Sequence, residues 1–317
     1  KISTTKSWSS NNIDILIAIK NRVATTSLKE FDTKSINKTV NKIIKTAKLT
    51  QPNKDFTGIA KGPCKYKNIP ETYDKRIPKA DKVKIIEKII EKVKEDGANR
   101  SSGLIESTIS SGFLTTSSGI EAYDKGTAIH LSLRTFFSKD SSGHITHTSR
   151  VLSKFNYLKA AQEAGKIALM AQNPKSCIPG KYDVIFKPLA FANLLSLIGE
   201  ASSTFSVESG LSFLKNKMNK QIASKEVTFL DNPTAPNGIG SIKFDAEGHP
   251  TQKTTLIEKG KFKTYLHNTS TALKYKTKTT GNAGIIAPRP FNLILKKSNW
   301  KTEDMIKEIK KGVIITN

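Results

Sequence analysis

Three residues that can bind metal ions stand at alternate positions in FDAEGHP, residues 244–250. They are Asp245, Glu247 and His249. On a regular strand, alternate side chains point to one face, so these three could share an ion. Gly248 and Pro250 interrupt the segment, however, and both residue types disfavour a regular strand and favour a turn. We therefore predict a hairpin turn here rather than a metal site.

The other histidines are a second set of candidate ligands. His144 and His147 form an HxxH pattern in a segment that alternates like a strand. Residues three apart on a strand face opposite sides, so this pair cannot chelate one ion without a bulge. We interpret the pair as surface residues, and the isolated His130 and His267 as structural ones.

Common catalytic signatures are missing from the sequence. It has no GxSxG around a nucleophilic serine, no GxxxxGK[ST] and no GxGxxG. The two cysteines, Cys64 and Cys177, lie far apart without a CxxC. This usage predicts a reduced, cytoplasmic pair rather than a disulfide framework or a thiolate zinc site. The residues alone therefore indicate no catalytic apparatus.

The charge of the chain suggests nucleic acid as a partner. The formal net charge is +25 over 317 residues, and basic residues that neutralise phosphates stabilise such complexes. Only six of the 52 basic residues are Arg, the type suited to bidentate phosphate and guanine contacts, and the lysines are spread along the chain. A solvated lysine surface is the preferred interpretation, with nucleic-acid binding as an alternative. No apolar run is long enough to span a bilayer, so no membrane association is expected.

The elements of the first 175 residues follow from periodicity. Runs of β-branched residues predict paired strands, and helical spacing predicts three amphipathic helices. In the second helix, Ile86, Ile90 and Val93 are expected on the buried face, and Gly97 at its end. The predicted elements are strands at 13–19 and 22–27, a helix at 33–49 capped by Asp32 or Thr33, a helix ending at Gly97, an antiparallel meander at 101–153 and a helix near 156–172.

The remaining residues predict a second region. DVIF, residues 183–186, reads as a buried strand, and a helix is expected to begin at Pro188. Short strands and turns follow residue 224, and a last helix has Thr302 as its expected cap. The whole is an α+β fold, with helices packed on an antiparallel or mixed sheet in residues 1–175 and a mostly β region in residues 176–317.

One block of sequence, residues 212–284, resembles the TldD/PmbA family, metalloproteases also called modulators of DNA gyrase. The resemblance rests on five segments in the family's order: IASKE (222–226), DNP (231–233), FDAEGHPTQ (244–252), LIEKGKFKTYL (256–266) and TTGNA (279–283). The segment IPGKYDVIFKP, residues 178–188, is also similar to the family. The FDAEGHP turn resembles a family hairpin in which no zinc ion is bound.

The resemblance implies a zinc site that this chain has lost. TldD-type subunits carry HExxxH on the helix after the DVIF-like strand, with two histidines on zinc and the glutamate as base. At those positions this chain has Pro188, Leu189 and Asn193. Proline and leucine cannot ligate a metal or move a proton, and one asparagine does not hold zinc. The chain therefore resembles the TldE (PmbA) type, which lacks the motif, and we expect no catalytic residue and no metal in it.

The resemblance also implies a partner and a substrate class. We expect a TldD-like subunit that holds the zinc in a heterodimer, extended peptide as substrate, and a homodimer as a possible form of the chain alone. Thr280, Gly281 and Asn282 are candidate contacts to peptide or partner. An autonomous peptidase and a gyrase- or nucleic-acid-binding protein are the alternatives. Family members usually continue beyond the point that corresponds to Asn317, with a part that supplies a cysteine ligand in the zinc-bearing subunit.

Overall fold

The computed structural model describes residues 2–317 as a mixture of helices and mostly antiparallel sheets, which confirms the predicted α+β class. Among these residues, no helix is both long and apolar enough to cross a membrane. The elements in chain order are β1 (Ile13–Ile19), β2 (Arg22–Leu28), α1 (Thr33–Leu49), α2 (Lys82–Glu95), β3 (Arg100–Thr116), β4 (Ile120–Phe136), β5 (Ser142–Ser149), α3 (Tyr157–Met170), β6 (Asp183–Phe186), α4 (Pro188–Ala201), α5 (Thr204–Glu208), β7 (Phe229–Asp231), β8 (Thr254–Glu258), β9 (Lys261–Phe262), α6 (Thr269–Lys274), β10 (Leu293–Leu295), α7 (Thr302–Glu308) and β11 (Gly312–Ile315).

The first elements are a hairpin and the helix packed on it. Strands β1 and β2 pair antiparallel through a two-residue turn in which Lys20 and Asn21 have positive φ, as a tight hairpin needs. Asp32 caps α1, because its Oδ1 accepts a hydrogen bond from the Ser35 N–H at 2.9 Å. The predicted strands, helix and Asp32 cap are thus confirmed.

A three-stranded antiparallel sheet in the order β3-β4-β5 forms the centre of the N-terminal part. Helices α2 and α3 pack on one face and share an apolar core with β4. The predicted meander and the helix ending at Gly97 are confirmed, but the predicted buried face of α2 is wrong by one position. Ile85 and Ile89 are buried together with Val93, whereas Ile86 and Ile90 are half-buried. Both isoleucine pairs have helical spacing, and packing against α3 and the sheet selects the first.

A turn of the C-terminal part packs on the β3–β4 hairpin. Ile120, at the start of β4, is fully buried in a small core with Phe244 and Tyr66. The Tyr66 hydroxyl donates to the Gly248 carbonyl at 2.7 Å. The buried guanidinium of Arg150 donates to the Ser241 carbonyl at 2.6 Å, and burial lowers the pKa of Arg150. These contacts fix the FDAEGHP turn against the N-terminal sheet.

The C-terminal part contains a four-stranded sheet in the order β10-β7-β8-β9 and its own apolar core. The predicted turn between β8 and β9 is confirmed, with Lys259 and Gly260 at positive φ.

Strand β6 pairs parallel with β11. The prediction that β6 is buried is wrong, since three of its four residues are exposed and it forms only a two-stranded sheet with β11 among the described residues. The last helix, α7, begins one residue earlier than predicted. Lys301 is at the cap position and Thr302 is the first helical residue.

Candidate functional site

Helix α4 occupies the place where the family resemblance puts the zinc motif. It begins at Pro188, separated by one residue from the end of β6. Proline suits the first position of a helix, because the N–H that it lacks would have no partner within the helix there. Lys187, just before the helix, forms an ion pair with Glu163 of α3 at 3.4 Å. Phe191 packs against Phe186 of β6, with ring centroids 5.6 Å apart. The helix is thus fixed to α3 and to β6 at its first turn.

The side chains of this helix do not form a zinc site. Pro188 and Asn193 are exposed and Leu189 is half-buried, and none of the three carries an imidazole, thiolate or carboxylate. The one acidic residue of α4 is Glu200, at the far end of the helix. Zinc sites in proteins are built from His, Cys and carboxylate donors, so these residues do not fit the ion. Within residues 2–317, no group of three or more such ligand types is placed to hold a metal.

An apolar groove lies beside α4. Its volume is about 450 Å³, within the range of small-molecule and peptide pockets. Its lining is mostly aliphatic and aromatic, with Lys217 and Gln221 as its polar members. The lining side chains on and near the helix are Phe191, Leu195, Ile198, Phe213, Leu214 and Ile222. A groove with this lining accepts apolar side chains and provides no group that could activate water.

Asp245, from the FDAEGHP segment, is a structural carboxylate. Its Oδ1 accepts hydrogen bonds from the N–H groups of Glu247 and His249 at 3.0 and 2.9 Å, and its Oδ2 accepts from the Ala283 N–H at 2.9 Å. Phe244 and Pro250 form an isolated bridge across the turn. The turn is therefore present, although residues 240–243 form no regular strand in front of it. Burial raises the pKa of Asp245 to about 6, against the opposing effect of the three N–H donors.

Glu247 and His267 lie in the same buried region with pKa values shifted in opposite directions. Glu247 accepts hydrogen bonds from the N–H and hydroxyl of Thr269, the first residue of α6. Burial, with a smaller contribution from the Asp245 charge, raises the pKa of Glu247 to about 7. Burial lowers the pKa of His267 to about 4. The His267 ring packs edge-on against Tyr275, and its Nδ1 has no partner among the described residues.

Asp231 and Asn282 form the most buried polar contact of the C-terminal part. Both are 0% exposed, and the Asn282 side-chain amide donates to Asp231 Oδ2 at 2.5 Å. The other carboxylate oxygen of Asp231 accepts from the N–H groups of Phe291 and Asn292. Burial raises the pKa of Asp231, while these donors oppose the shift. The contact joins the end of β7 to two later loops.

The candidate contact loop around Gly281 is part of this buried network. The Thr280 hydroxyl donates to the His267 carbonyl at 3.1 Å, and a Cβ on Gly281 would lie 2.6 Å from the Pro250 carbonyl oxygen. The side chains of Thr280 and Asn282 are therefore engaged within the chain. The hypothesis that this loop contacts peptide or partner stays a prediction.

The remaining histidines lie apart from the residues around α4 and from the buried carboxylates. His130 hydrogen-bonds to Thr148, and His144 to Ser132, both between strands of the N-terminal sheet. The His147 ring accepts from the Asn156 N–H at 3.0 Å. All three are half-buried and hold local structure. The buried roles of Asp231, Asp245 and Arg150 could not be predicted from the sequence, because each has at least one partner that lies tens of residues away along the chain.

Comparison with known proteins relates the C-terminal part of the chain, which contains α4, to a known family. Residues 179–317 match the family model of the PmbA/TldA metallopeptidase C-terminal domain. Metalloprotease MJ0996 of Methanocaldococcus jannaschii is 36% identical over 168 residues, which cover 51% of this chain and 37% of that protein. The chain thus spans a little over a third of the length of this relative.

Two solved structures share the fold along nearly the whole chain. A protein of Thermotoga maritima, described as a proposed modulator of a DNA gyrase, superposes with a TM-score of 0.85 at 25% identity over 97% of this chain and 72% of that chain. TldE from Thermococcus kodakarensis superposes with a TM-score of 0.85 at 23% identity over 100% of this chain and 74% of that chain, a likeness of fold alone. Residues 179–317 thus match the TldD/PmbA family of metallopeptidases, and the chain as a whole shares the fold of these two structures.

Proposed function

We propose that this chain is a non-catalytic subunit of the TldE (PmbA) type in a zinc metalloprotease that degrades small or unfolded peptides. Its partner is a TldD-like chain that carries the zinc ion. The observation that carries the proposal is the composition of α4 at the expected zinc position, where Pro188, Leu189 and Asn193 stand. No catalytic step is assigned to this chain, because none of these side chains can bind the ion or transfer a proton.

Exposed apolar surface beside the same helix supports a role in assembly. Leu197 of α4 is 62% exposed, and Leu194 and Phe213 nearby are exposed as well. Phe213 also lines the groove of about 450 Å³ beside α4, and exposed apolar side chains grouped in this way are of the kind that marks protein interfaces. We assign this surface, defined by α4 and Phe213, to the TldD-like partner.

A reconstitution experiment tests the proposal. This protein and a TldD-like protein from the same genome are purified separately and together, and cleavage of an unfolded protein substrate is measured with and without a zinc chelator. We expect cleavage only from the mixture, inhibition by the chelator, and zinc bound in proportion to the TldD-like chain. Chelator-sensitive cleavage by this protein alone, with zinc bound to it, would contradict the proposal.

A matched pair of variants tests the partner surface. Leu197→Asp introduces a charge into the surface beside α4, whereas Met170→Asp introduces the same charge on α3 at a side chain that is 80% exposed. We expect the first variant to lose co-purification with the TldD-like chain and the second to retain it. Equal behaviour of the two variants would remove this surface from the interface.

Nucleic-acid binding is the second candidate function, favoured by the net charge of +25. It predicts binding of duplex DNA that weakens steeply as salt is raised. Fluorescence anisotropy with labelled DNA at low salt distinguishes the two functions. Absence of binding there eliminates this alternative.

A further inference from the structure

Helix α1 carries a stripe of lysines on its exposed face. With about 100° of rotation per residue, its five lysines fall within an arc of about 120°. The opposite face, which includes Ile43 and Ala47, is buried against the β1–β2 hairpin. At 1.5 Å per residue, the stripe extends for about 21 Å along the helix. Its lysines, all of them exposed, are Lys34, Lys38, Lys42, Lys45 and Lys48.

Acidic residues do not compensate the charge of this stripe. The helix contains none, and none of its lysines forms an ion pair within residues 2–317. The hairpin beneath has one acid, Asp14, whose carboxylate accepts hydrogen bonds from Asn12 and Ser27. Glu30 and Asp32 precede the helix, and Asp32 is engaged as its cap. The exposed face of α1 is therefore positive along its whole length.

Helix α2 shows that a lysine-rich composition does not by itself produce such a face. It also has five lysines, within 14 residues, but three glutamates stand among them. One of these lysines, Lys92, also forms an ion pair with Asp96 at 2.7 Å. The side chains of α2 thus sum to a charge of +2, against +5 for α1. The single sign of α1 is a property of that helix rather than of the chain in general.

The composition of the stripe indicates which kind of partner fits it. The cores of protein interfaces are enriched in aromatic residues and depleted of lysine, and helices that lie on membranes insert an apolar face. Proteins that bind single-stranded nucleic acid stack its bases on aromatic side chains. The stripe has Asn37 and Asn41 among its lysines and no aromatic residue, and the one large apolar side chain exposed on α1 is Leu49, at its last position. These features favour a rigid polyanion that is contacted through its phosphates.

We propose that the exposed face of α1 binds the phosphate backbone of duplex DNA, with the helix lying along the major groove. That groove is about 12 Å wide and admits an α-helix, whereas the major groove of duplex RNA is too narrow to enter. Lysines spread over an arc of about 120° can reach phosphates on both sides of the groove. Lysine contacts a phosphate as a point charge, and α1 has no arginine for bidentate base contacts. We therefore expect binding with little sequence preference.

Further positive charge lies at the C-terminal end of the stripe. Arg22 of β2 donates a hydrogen bond to the carbonyl of Thr50, the residue that follows α1. The Asn53 N–H donates to the Asn21 carbonyl at 2.7 Å, so the hairpin turn that contains Lys20 is also near this end. The proposed binding is independent of the subunit assignment of α4, because α1 packs on the β1–β2 hairpin and α4 belongs to the C-terminal part. It gives the nucleic-acid alternative, on which it rests, a defined surface.

Fluorescence anisotropy of the full chain with a labelled DNA duplex of mixed sequence tests this surface. If five lysines contact phosphates, the logarithm of the association constant should fall with the logarithm of the salt concentration at a slope of about −4.5. The triple variant Lys38→Gln, Lys42→Gln and Lys45→Gln should bind more than about tenfold more weakly at low salt, with a slope smaller by about 3. Glutamine has nearly the helix propensity of lysine, and circular dichroism checks that the variant folds.

A second triple variant removes the same charge from α2 and serves as the matched control. Lys84→Gln, Lys88→Gln and Lys94→Gln change exposed lysines outside the stripe, so the affinity should stay within about twofold of wild type. Equal weakening by the two triple variants would indicate a general charge effect and overturn the assignment to α1. Absence of wild-type binding at low salt overturns both the assignment and the nucleic-acid alternative, but not the subunit function, which the reconstitution tests separately.

Other polyanions test the choice of duplex DNA as the occupant. Duplex RNA and single-stranded DNA of the same length should bind more weakly than duplex DNA, and equal or tighter binding of either would overturn that choice. Vesicles of phosphatidylcholine and phosphatidylserine test a lipid surface in the same way. Vesicle binding that requires the α1 lysines, in a protein that does not bind the duplex, would overturn the proposal in favour of a membrane.

Discussion

Glu247 accepts two hydrogen bonds from Thr269 and thereby joins the FDAEGHP turn to the first residue of α6. A carboxylate at a helix N-terminus is normally favourable. Here the side chain is buried beside Asp245, and burial raises the pKa of Glu247 to about 7. The contact is therefore stable with a neutral carboxyl group and costly with a charged one, so the stability of this region depends on pH.

Glu247→Gln should remove a pH dependence from folding stability. The pKa of Glu247 is about 7 in the folded protein, against an ordinary value of 4.5. Between these values the folded state binds more protons than the unfolded state, so the wild type loses stability as pH rises from 4.5 to 7. Gln keeps the acceptor for Thr269 without the charge. We expect the variant to gain about 1–3 kcal/mol relative to wild type between pH 5 and pH 8.

Urea unfolding of both proteins at pH 5, 6.5 and 8 measures this effect. His267 titrates in both, so its contribution cancels in the difference. Glu226→Gln, at an exposed glutamate, is the matched control and should show no such gain. A constant difference between Glu247→Gln and wild type across this range would contradict the raised pKa.

The imidazole of His267 should stay neutral well below its ordinary pKa. Burial lowers its pKa from 6.5 to about 4. As pH falls from 6.5 to 4, the unfolded state takes up a proton that the folded state does not, so this group reduces stability across that window. NMR titration of the ring nitrogens should show the neutral form still dominant at pH 5. A midpoint near 6.5 would mean that the ring is solvated.

The helices and hairpins of this fold could be predicted from local patterns, because their capping residues and periodicities lie within each segment. The segment KIIEKII, residues 84–90, shows the limit. Ile85 with Ile89, and Ile86 with Ile90, have the same helical spacing, and only the packing of α2 on α3 distinguishes them. The prediction that the strand DVIF is buried is wrong for a related reason. Its composition is typical of a covered strand, but coverage depends on neighbours that the segment does not specify.

The residue types at the candidate site could be predicted from the sequence, but the contacts between them could not. The absence of zinc donors at Pro188, Leu189 and Asn193 follows from the family resemblance and needs no coordinates. The pairing of Asp231 with Asn282 joins residues that are 51 positions apart, and no local periodicity encodes such a contact. The one available signal is that an acidic residue, Asp231, ends the otherwise apolar strand β7, a pattern that can indicate a buried carboxylate.

Asn282→Ala should destabilise the C-terminal part strongly. The change removes the amide that donates to Asp231 Oδ2 at 2.5 Å and to the Arg289 carbonyl at 3.0 Å. Asp231 is then buried with one oxygen lacking a donor, which costs about 2–4 kcal/mol. Asn193→Ala on α4 is the matched control and should cost less than about 0.5 kcal/mol, because Asn193 is exposed. Chemical denaturation measures both, and equal losses would contradict the role of Asn282.

Gly248→Ala should disrupt the contact between the FDAEGHP turn and the β3–β4 hairpin. Gly248 has a φ of +82°, and a Cβ there would lie 2.6 Å from Ile120 Cγ2 and 3.1 Å from Leu114 Cδ2. Backbone strain of about 1–2 kcal/mol therefore adds to overpacking of about 1–3 kcal/mol. Gly210→Ala separates the two effects, because Gly210 has a φ of +73° and nothing within 4 Å of the added atom.

Thermal and urea unfolding should show Gly210→Ala destabilised by the strain alone and Gly248→Ala by clearly more. Limited proteolysis of Gly248→Ala should also cut faster in the 58–68 connection, because Tyr66 loses its fixed contact with the Gly248 carbonyl. Equal destabilisation of the two variants would mean that Ile120 and Leu114 move aside at no cost. The hairpin would then not be held rigidly by the turn, since a close-packed contact cannot absorb an extra methyl group freely.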